Sequence, residues 1–301
     1  MEEARVEAHA KVNLGLAVLG RRADGYHEID TVFQTVSLSD SLIIRRSAAR
    51  GPRVAIEVTG LRVPTDERNL AVRAASALAD ETGCPGVSIA LEKRIPVGAG
   101  LGGGSADAAA VLVGMNALLD LGLRDEELER LALPIGSDVP FLVRGGTARG
   151  RGRGEQLERL PPFAGVWLVL ATPPFEVSTR EAYDRARIGL TGHQGFIKLI
   201  CSAIQKGDVR ELAAVLRNDL EPGVSAVHPD VGGLKNALVA CGALGAVISG
   251  SGPTVVGVAA GREDAEGIAG RLGGRGLSIH VVEPVGQGCR VAERKEEPFP
   301  R

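Results

Sequence analysis

Aromatic residues are scarce in this chain: one Trp, two Tyr and six Phe make up 3% of 301 residues. Cores must therefore be filled by Ala, Val, Leu and Ile, and any ring inside a polar stretch is informative. No apolar run is long enough to span a membrane, and the opening Met-Glu-Glu-Ala-Arg is no signal peptide. Four cysteines, at 84, 201, 241 and 289, form no Cys-x-x-Cys pair and have no histidine at metal-ligand spacing. The short, loop-rich setting of a disulfide scaffold is missing, so reduced thiols and a cytoplasmic location are expected. Charge of one sign is lacking too: 35 Lys and Arg against 37 Asp and Glu leave a net charge of −2. Such a chain has no field to draw in nucleic acid or an anionic membrane, and neither is expected as a partner. Four arginines do stand among glycines between Arg144 and Gly154. Without interleaved aromatics they make a poor RNA footprint, and a hairpin is the better reading.

What is abundant is glycine in one place. Between Pro96 and Ala110 the chain reads Pro-Val-Gly-Ala-Gly-Leu-Gly-Gly-Gly-Ser-Ala-Asp-Ala-Ala-Ala, with Gly98, Gly100, Gly102, Gly103 and Gly104 close together. Lacking a Cβ, glycine lets consecutive amides turn toward an anion. A helix starting near Ser105 would aim its unpaired N–H groups and its positive dipole end at the same point. Loop and helix together make a phosphate cradle. The alternative is a turn before a helix capped by Ser105 and Asp107, but so many glycines exceed what a cap needs.

The cradle is not one of the widespread types. Gly98, Gly100 and Gly103 fit Gly-x-Gly-x-x-Gly after a strand at Val87–Leu91. A dinucleotide site also requires an acidic residue ending the next strand, and here Asp120 follows a helical stretch from Val111 to Leu119. No Gly-Lys exists for a Walker loop, and no Asp-Phe-Gly for a protein kinase.

Residues 4–19 read as a strand, with Lys11 and Asn13 on one face because side chains alternate. Lys11 is either an exposed strand lysine or, flanked by small residues in an apolar strand, a working group. Arg21 to Glu28 is a polar loop with Asp24-Gly25 as its turn signal, so Tyr26 and His27 stand in a loop. Strands are expected at Ser41–Arg46 and Val54–Thr59, and a helix at Asn69–Thr82 with Gly83 as its stop. After a short charged helix at Asp125–Leu131, Asp138 is lodged in Pro134-Ile-Gly-Ser-Asp-Val-Pro-Phe141. An acid in apolar surroundings is either a satisfied cap or a functional group.

Pro161-Pro162 marks a junction. Beyond it, strands at 166–171, 245–249, 254–259 and 278–282 are interspersed with helices at 178–187, 196–205, 209–216, 231–240 and 263–272. That pattern predicts an α+β sandwich of the ferredoxin-like kind, with a frayed, charged tail from Arg294 to Arg301. Length alone is enough for two domains, set at 1–158 and 159–301, and the last strand could return to the first domain.

Pro96-x-Gly-x-Gly-Leu-Gly-Gly-Gly-Ser resembles the phosphate loop of the GHMP kinases, the galactokinase, homoserine, mevalonate and phosphomevalonate kinase superfamily. Ala10-Lys-Val-Asn-Leu14 with Gly20-Arg-Arg-Ala-Asp-Gly-Tyr-His-Glu28 resembles the opening of the branch that phosphorylates 4-diphosphocytidyl-2-C-methylerythritol. Ile248-Ser-Gly-Ser-Gly-Pro-Thr254 resembles the third superfamily motif. The resemblance implies a two-domain α+β fold, ribosomal protein S5 domain 2-like and then ferredoxin-like. It implies ATP and Mg²⁺ as cofactors, and a cytidine diphosphate compound phosphorylated at its 2-hydroxyl in the non-mevalonate route to isoprenoids, by a monomer or homodimer.

Carried onto this sequence, the resemblance assigns Lys11 and Asp138 to catalysis. It assigns Pro96, Val97, Gly98, Ala99, Gly100, Leu101, Gly102, Gly103, Gly104, Ser105 and Ala106 to the nucleotide phosphates, and Asn69 to the neighbourhood of adenine. Asn13, Tyr26, His27 and Tyr183 would hold the cytidyl substrate, the two tyrosines clamping the base while His27 reads its edge. Asp138 is the natural general base, and Lys11 is suited to balance its charge and that of the developing alkoxide. Ser105 is a candidate Mg²⁺ or phosphate ligand by position, with a helix N-cap as rival. Ala106 stands where the family often has a second serine, which removes one hydroxyl from the loop. His9 stands where proline is common. Two other readings stay open: a superfamily kinase for a different small alcohol, and a catalytically silent phosphate-binding module.

Overall fold

The computed structural model describes residues 3–47, 53–186, 194–274 and 276–295. In chain order the elements are β1 (Glu3–Arg21), β2 (His27–Arg46), β3 (Val54–Gly60), α1 (Leu70–Thr82), β4 (Val87–Lys93), α2 (Gly103–Leu118), α3 (Asp125–Ala132), α4 (Val139–Arg144), β5 (Thr147–Gly152) and β6 (Gln156–Arg159). There follow β7 (Trp167–Thr172), α5 (Thr179–Asp184), α6 (Gln194–Lys206), α7 (Val209–Val215), β8 (Arg217–Asn218), α8 (Glu221–Val227), α9 (Pro229–Ala240), β9 (Gly245–Ile248), β10 (Val255–Ala259), α10 (Arg262–Leu272), β11 (Ser278–Val282) and β12 (Cys289–Lys295).

The first sheet is built on one long hairpin. β1 runs antiparallel to β2 from Glu3↔Arg45 to Arg21↔His27, with register shifts at His9/Lys11, Asn13/Gly15 and Val18/Gly20. Such irregularities locally re-aim side chains, and Lys11 and Asn13 lie between two of them. The order continues as β12-β1-β2-β4-β3, with β5 on β2, β6 on β5 and the two-residue β8 on β1. The helix α2 packs on this sheet beside α1 and α4. All its residues from Ala106 to Leu112 are buried. Its small side chains let it sit close: a Cβ on Gly114 would come within 2.5 Å of Ile44. Larger neighbours such as Phe33, Leu14, Leu42 and Ile44 fill the core, each contributing about 1.5–3 kcal/mol by leaving water.

The second sheet has the order β11-β7-β10-β9, antiparallel throughout. With helices in both long connections this is the split βαβ arrangement of ferredoxin-like folds. Its core gathers Val169, Ala171, Leu238, Ile248, Val255 and Ile268.

Several boundaries differ from the sequence reading. β2 begins at His27 rather than Ser41, because its first half is buried between neighbours and does not alternate. α2 begins at Gly103, behind a left-handed Gly102 (φ 68°), and neither Ser105 nor Asp107 caps it. α8 is an additional helix, opened by Glu221-Pro222. The helix expected to reach Arg187 ends at Asp184, and Arg187 itself is outside the described residues. Of the tail expected to be frayed, Arg294 and Lys295 belong to β12 and pair with Ala4 and Glu3, while 296–301 are outside the described residues. Backbone hydrogen bonding to β1 outweighs the local charge and proline content there.

β12 enters its place through a tight crossing. Gly288 N donates to Arg144 O at 2.8 Å and His9 N donates to Gly288 O at 2.9 Å. Facing it, Gly145 has φ 70° and ψ −148°, and a Cβ there would lie 1.9 Å from Gly288 N. Gly145→Ala is expected to destabilise the protein by about 3 kcal/mol or more, since strain and clash add. A thermal melt of this variant within a degree of the parent would show that the crossing is not tight.

Candidate active site

A cleft of about 1000 Å³ lies between the glycine loop, β1, α5 and the β9–β10 turn, and residues of all three sequence motifs line it. Its floor is the glycine loop. Gly98, Gly100 and Gly102 have φ of 61°, 75° and 68°, and this alternation of left-handed with ordinary residues turns successive amides toward one point. The start of α2 adds its own unpaired N–H groups.

The loop is stitched down from two sides. Lys11 N donates to Leu101 O at 2.9 Å, which ties it to β1. Ser249 Oγ donates to Gly100 O at 2.8 Å and accepts from Asn13 N at 3.2 Å, which ties it to the β9–β10 turn. The approach is so close that a Cβ on Gly100 would lie 2.1 Å from Ser249 O. Asn218 holds the same turn by donating to Ile248 O and Gly250 O at 2.8 and 2.7 Å.

Lys11 is 4% exposed, in the wall of the cleft. Its ammonium donates to Asn13 Oδ1 at 2.7 Å, lies 3.3 Å from Asp138 Oδ2, and stands 5.7 Å from the Phe33 ring centroid. Asn13 is fixed in turn by donating to Thr31 Oγ1 at 2.8 Å, whose hydroxyl donates to Gly15 O at 2.6 Å. The sheet therefore orients the lysine through a chain of neutral partners. Asp138 occupies the N-cap position of α4, yet its side chain makes no cap hydrogen bond. The cap reading of this acid falls, and its carboxylate faces the cleft beside Lys11.

At the other end stand the rings. Tyr183, on α5, stacks on His27 with centroids 5.1 Å apart and planes 24° from parallel. Tyr26 is 53% exposed and lies beneath the Arg153 guanidinium at 4.6 Å. Each tyrosine thus has a partner other than its fellow, and His27 opens a strand instead of standing in the loop. Burial, and after it the charge of Asp138, pushes the Tyr183 phenol up.

Beneath the loop lies a buried cluster that sequence reading passed over. Lys93 Nζ is paired with Asp40 and, at 2.7 Å, with Asp107, all three at most 2% exposed. Asp40 also accepts from Arg94 N and Ile95 N at 2.5 and 2.8 Å. Asp107 is less well satisfied: its Oδ1 has no partner, and burial pushes its carboxyl up to about 8. Removing one member of a buried ion pair costs about 3–5 kcal/mol, so this cluster is a strong constraint. One signal was available: Lys93 continues the core face of Val87, Ile89 and Leu91 at every second residue.

Of the expected nucleotide residues, Pro96 to Gly100 and Gly102 to Ser105 line the cleft. Leu101 and Ala106 are buried beneath it. Asn69 is committed elsewhere, accepting from Ala71 N as the N-cap of α1 and donating to Pro64 O. Lys11, Asn13, Tyr26, His27, Asp138 and Tyr183 all line the same cleft. Gly250, Ser251, Phe33 and Arg153 join them as lining residues to which sequence reading had assigned no role.

Comparison with known proteins agrees with this arrangement. The model of the GHMP kinases N terminal domain matches residues 69–146, and that of the GHMP kinases C terminal domain matches 200–276. The 4-diphosphocytidyl-2-C-methyl-D-erythritol kinase of Moorella thermoacetica is 49% identical over 275 residues, covering 90% of this chain and 95% of that protein. The enzyme of the same name from Gloeobacter violaceus is 44% identical over 97% of this chain and 98% of its own length. A crystal structure of 4-(cytidine 5'-diphospho)-2C-methyl-D-erythritol kinase superposes with a TM-score of 0.76 at 37% identity, covering 93% of this chain and 99% of that one. The chain belongs to the GHMP kinases and, within them, to the 4-diphosphocytidyl-2-C-methyl-D-erythritol kinase family.

Proposed function

We propose that this kinase transfers the γ-phosphoryl group of ATP to the 2-hydroxyl of 4-diphosphocytidyl-2-C-methyl-D-erythritol, in the non-mevalonate route to isoprenoids. The observation that carries the reading is the Lys11–Asp138 pair, 3.3 Å apart and in one cleft with the amide cradle and the rings. Asp138 takes the proton of the acceptor hydroxyl as its oxygen attacks the γ-phosphorus. The bond from that phosphorus to the β,γ-bridging oxygen breaks, and ADP leaves. The Lys11 ammonium stabilises charge on the transferring group and the attacking oxygen. The loop amides from Gly98 to Gly104 hold the nucleotide phosphates. An assay of ADP release with the cytidyl substrate against homoserine and mevalonate tests the assignment, and preference for either of the latter would overturn it.

Mg²⁺ is compatible with the residues present. Among the described residues no cluster of three or more His, Cys, Asp or Glu side chains could cage a metal, but Mg²⁺ commonly relies on one or two protein groups plus substrate phosphates. Ser105 is the third residue of α2, half-buried in the cleft, and is not drawn into a cap. Its hydroxyl, together with the nucleotide phosphates, would hold the ion, whose charge would offset theirs.

A cytosine ring is placed against Tyr183, taking the position now filled by the His27 imidazole and moving that ring to the base edge. The open face of Tyr26 covers the other side. We divide the chain near residues 158 and 159, with β12 returned to the first unit. No helix among the described residues is long and apolar enough to cross a membrane. The four cysteines are unpaired, which supports the cytoplasm as the site of action.

Asp138→Asn keeps the shape and removes the proton acceptor. Turnover is expected to fall at least ~100-fold with ADP affinity little changed; a loss under tenfold in single-turnover kinetics would remove Asp138 as the base. Lys11→Met is expected to act on turnover by a similar factor of about 100, with the melting transition retained. A collapsed transition would mark the lysine as structural. Tyr26→Ala is expected to weaken CDP about tenfold while leaving ATP unaffected, the scale of one lost base stack. Calorimetric titrations showing equal losses for both nucleotides would dismiss the ring contact.

A further inference from the structure

The glycine loop has a mechanical problem. Gly98, Gly100, Gly102, Gly103 and Gly104 all lie in or directly after it, and glycine loses more conformational freedom on ordering than any other residue. An amide cradle binds phosphate well only if its amides already converge when the ligand arrives. Both ends of this loop meet the same buried cluster. At the entrance, Asp40 of β2 accepts from Arg94 N and Ile95 N. At the exit, Asp107 of α2 is bound to Lys93 Nζ at 2.7 Å. Lys93, the last residue of β4, joins the two acids, and its ammonium sits 3.0 Å from where a Cβ on Gly103 would be.

We propose that Lys93 is a positioning residue for phosphoryl transfer: by bridging Asp40 and Asp107 it clamps the two ends of the glycine loop and so pre-forms the phosphate cradle. The clamp acts on the phosphates alone. Its three members are buried beneath the loop and α2, only Lys93 of them reaches the cleft, and none is hydrogen-bonded or ion-paired to Lys11 or Asp138. Its loss therefore lowers affinity for the charged part of the nucleotide and spares the nucleoside part. It also raises KM for ATP more than it lowers turnover, because Asp138 and Lys11 keep their own supports on β1 and α4. The proposal rests on the reading of the loop as the ATP site.

The test uses the full chain with Mg²⁺ present. Lys93→Met combined with Asp40→Asn and Asp107→Asn removes all three charges together, so no lone charge is left buried. Asp107→Leu keeps the Lys93–Asp40 pair and cuts the tie to α2. Each is titrated with ADP and with adenosine. ADP binding is expected to weaken at least tenfold and adenosine binding by less than twofold, with KM for the cytidyl substrate unchanged. Equal losses for ADP and adenosine, or unchanged ADP affinity, in a variant that melts cooperatively would overturn the proposal. Hydrogen exchange of the nucleotide-free parent decides the matter even if both variants fail to fold. Slow exchange of the Arg94, Ile95 and Ala106 amides, which are hydrogen-bonded at the two ends of the loop, is expected, and exchange of these amides at free-peptide rates would overturn the clamp. A parent protein that binds ADP no better than adenosine would instead strike the assignment of the ATP site, and the exchange result would still judge the clamp.

Discussion

The hydrogen bond from Ser249 Oγ to Gly100 O is the point on which the cleft depends. It joins residues 149 positions apart, and the same hydroxyl receives the Asn13 amide. Three sequence motifs thus meet at one oxygen atom. A glycine-rich loop has few side chains of its own to hold it, so its shape must come from neighbours that approach its backbone. Those neighbours come from both sheets. The Ser249 contact therefore couples the shape of the phosphate cradle to the packing of the two halves of the fold.

The two buried lysines show how the same charge is given different work by its surroundings. Lys11 has one acidic partner, Asp138, whose side chain is 30% exposed and faces the cleft. Its other partner, Asn13, is neutral. Much of its field is therefore available to a ligand. Lys93 is enclosed by two carboxylates, each at most 3% exposed, and its field is spent holding the protein together. Burial with full pairing favours a fixed geometry, whereas burial with one partner at the water's edge favours chemistry.

Local rules read well wherever neighbours agreed with them. Asn69 and Gly83 bracket α1 as a polar N-cap and a left-handed stop should. Lys11 and Asn13 share a face of β1 by simple alternation, and their side chains are hydrogen-bonded. Local rules failed where partners distant in sequence decided. Ser105, Asp107 and Asp138 all have the chemistry of caps, and none of them caps. Asp107 is claimed by Lys93, and Gly102 turns the chain into α2 in place of a side chain. The first half of β2 hid its strand character because both its faces are covered. β12 hid behind a run of charges, since its pairing with β1 spans nearly the whole chain.

The resemblance of its motifs to the GHMP kinases implied the kinase activity, while the amino-acid sequence by itself determined an α+β chain with a glycine cradle, an acid, a lysine and a pair of tyrosines. These follow from backbone freedom, side-chain chemistry and order along the chain, all of which are local properties. Tertiary structure alone decided which of them are neighbours. It placed Asp138 3.3 Å from Lys11, stacked His27 on Tyr183, committed Asn69 to a cap, and set Lys93 beneath the loop. The physical reason is that hydrogen bonds, ion pairs and ring stacking act over a few ångströms. Such short-range forces can join residues far apart in sequence only after the apolar core has brought the strands and helices that carry them into place.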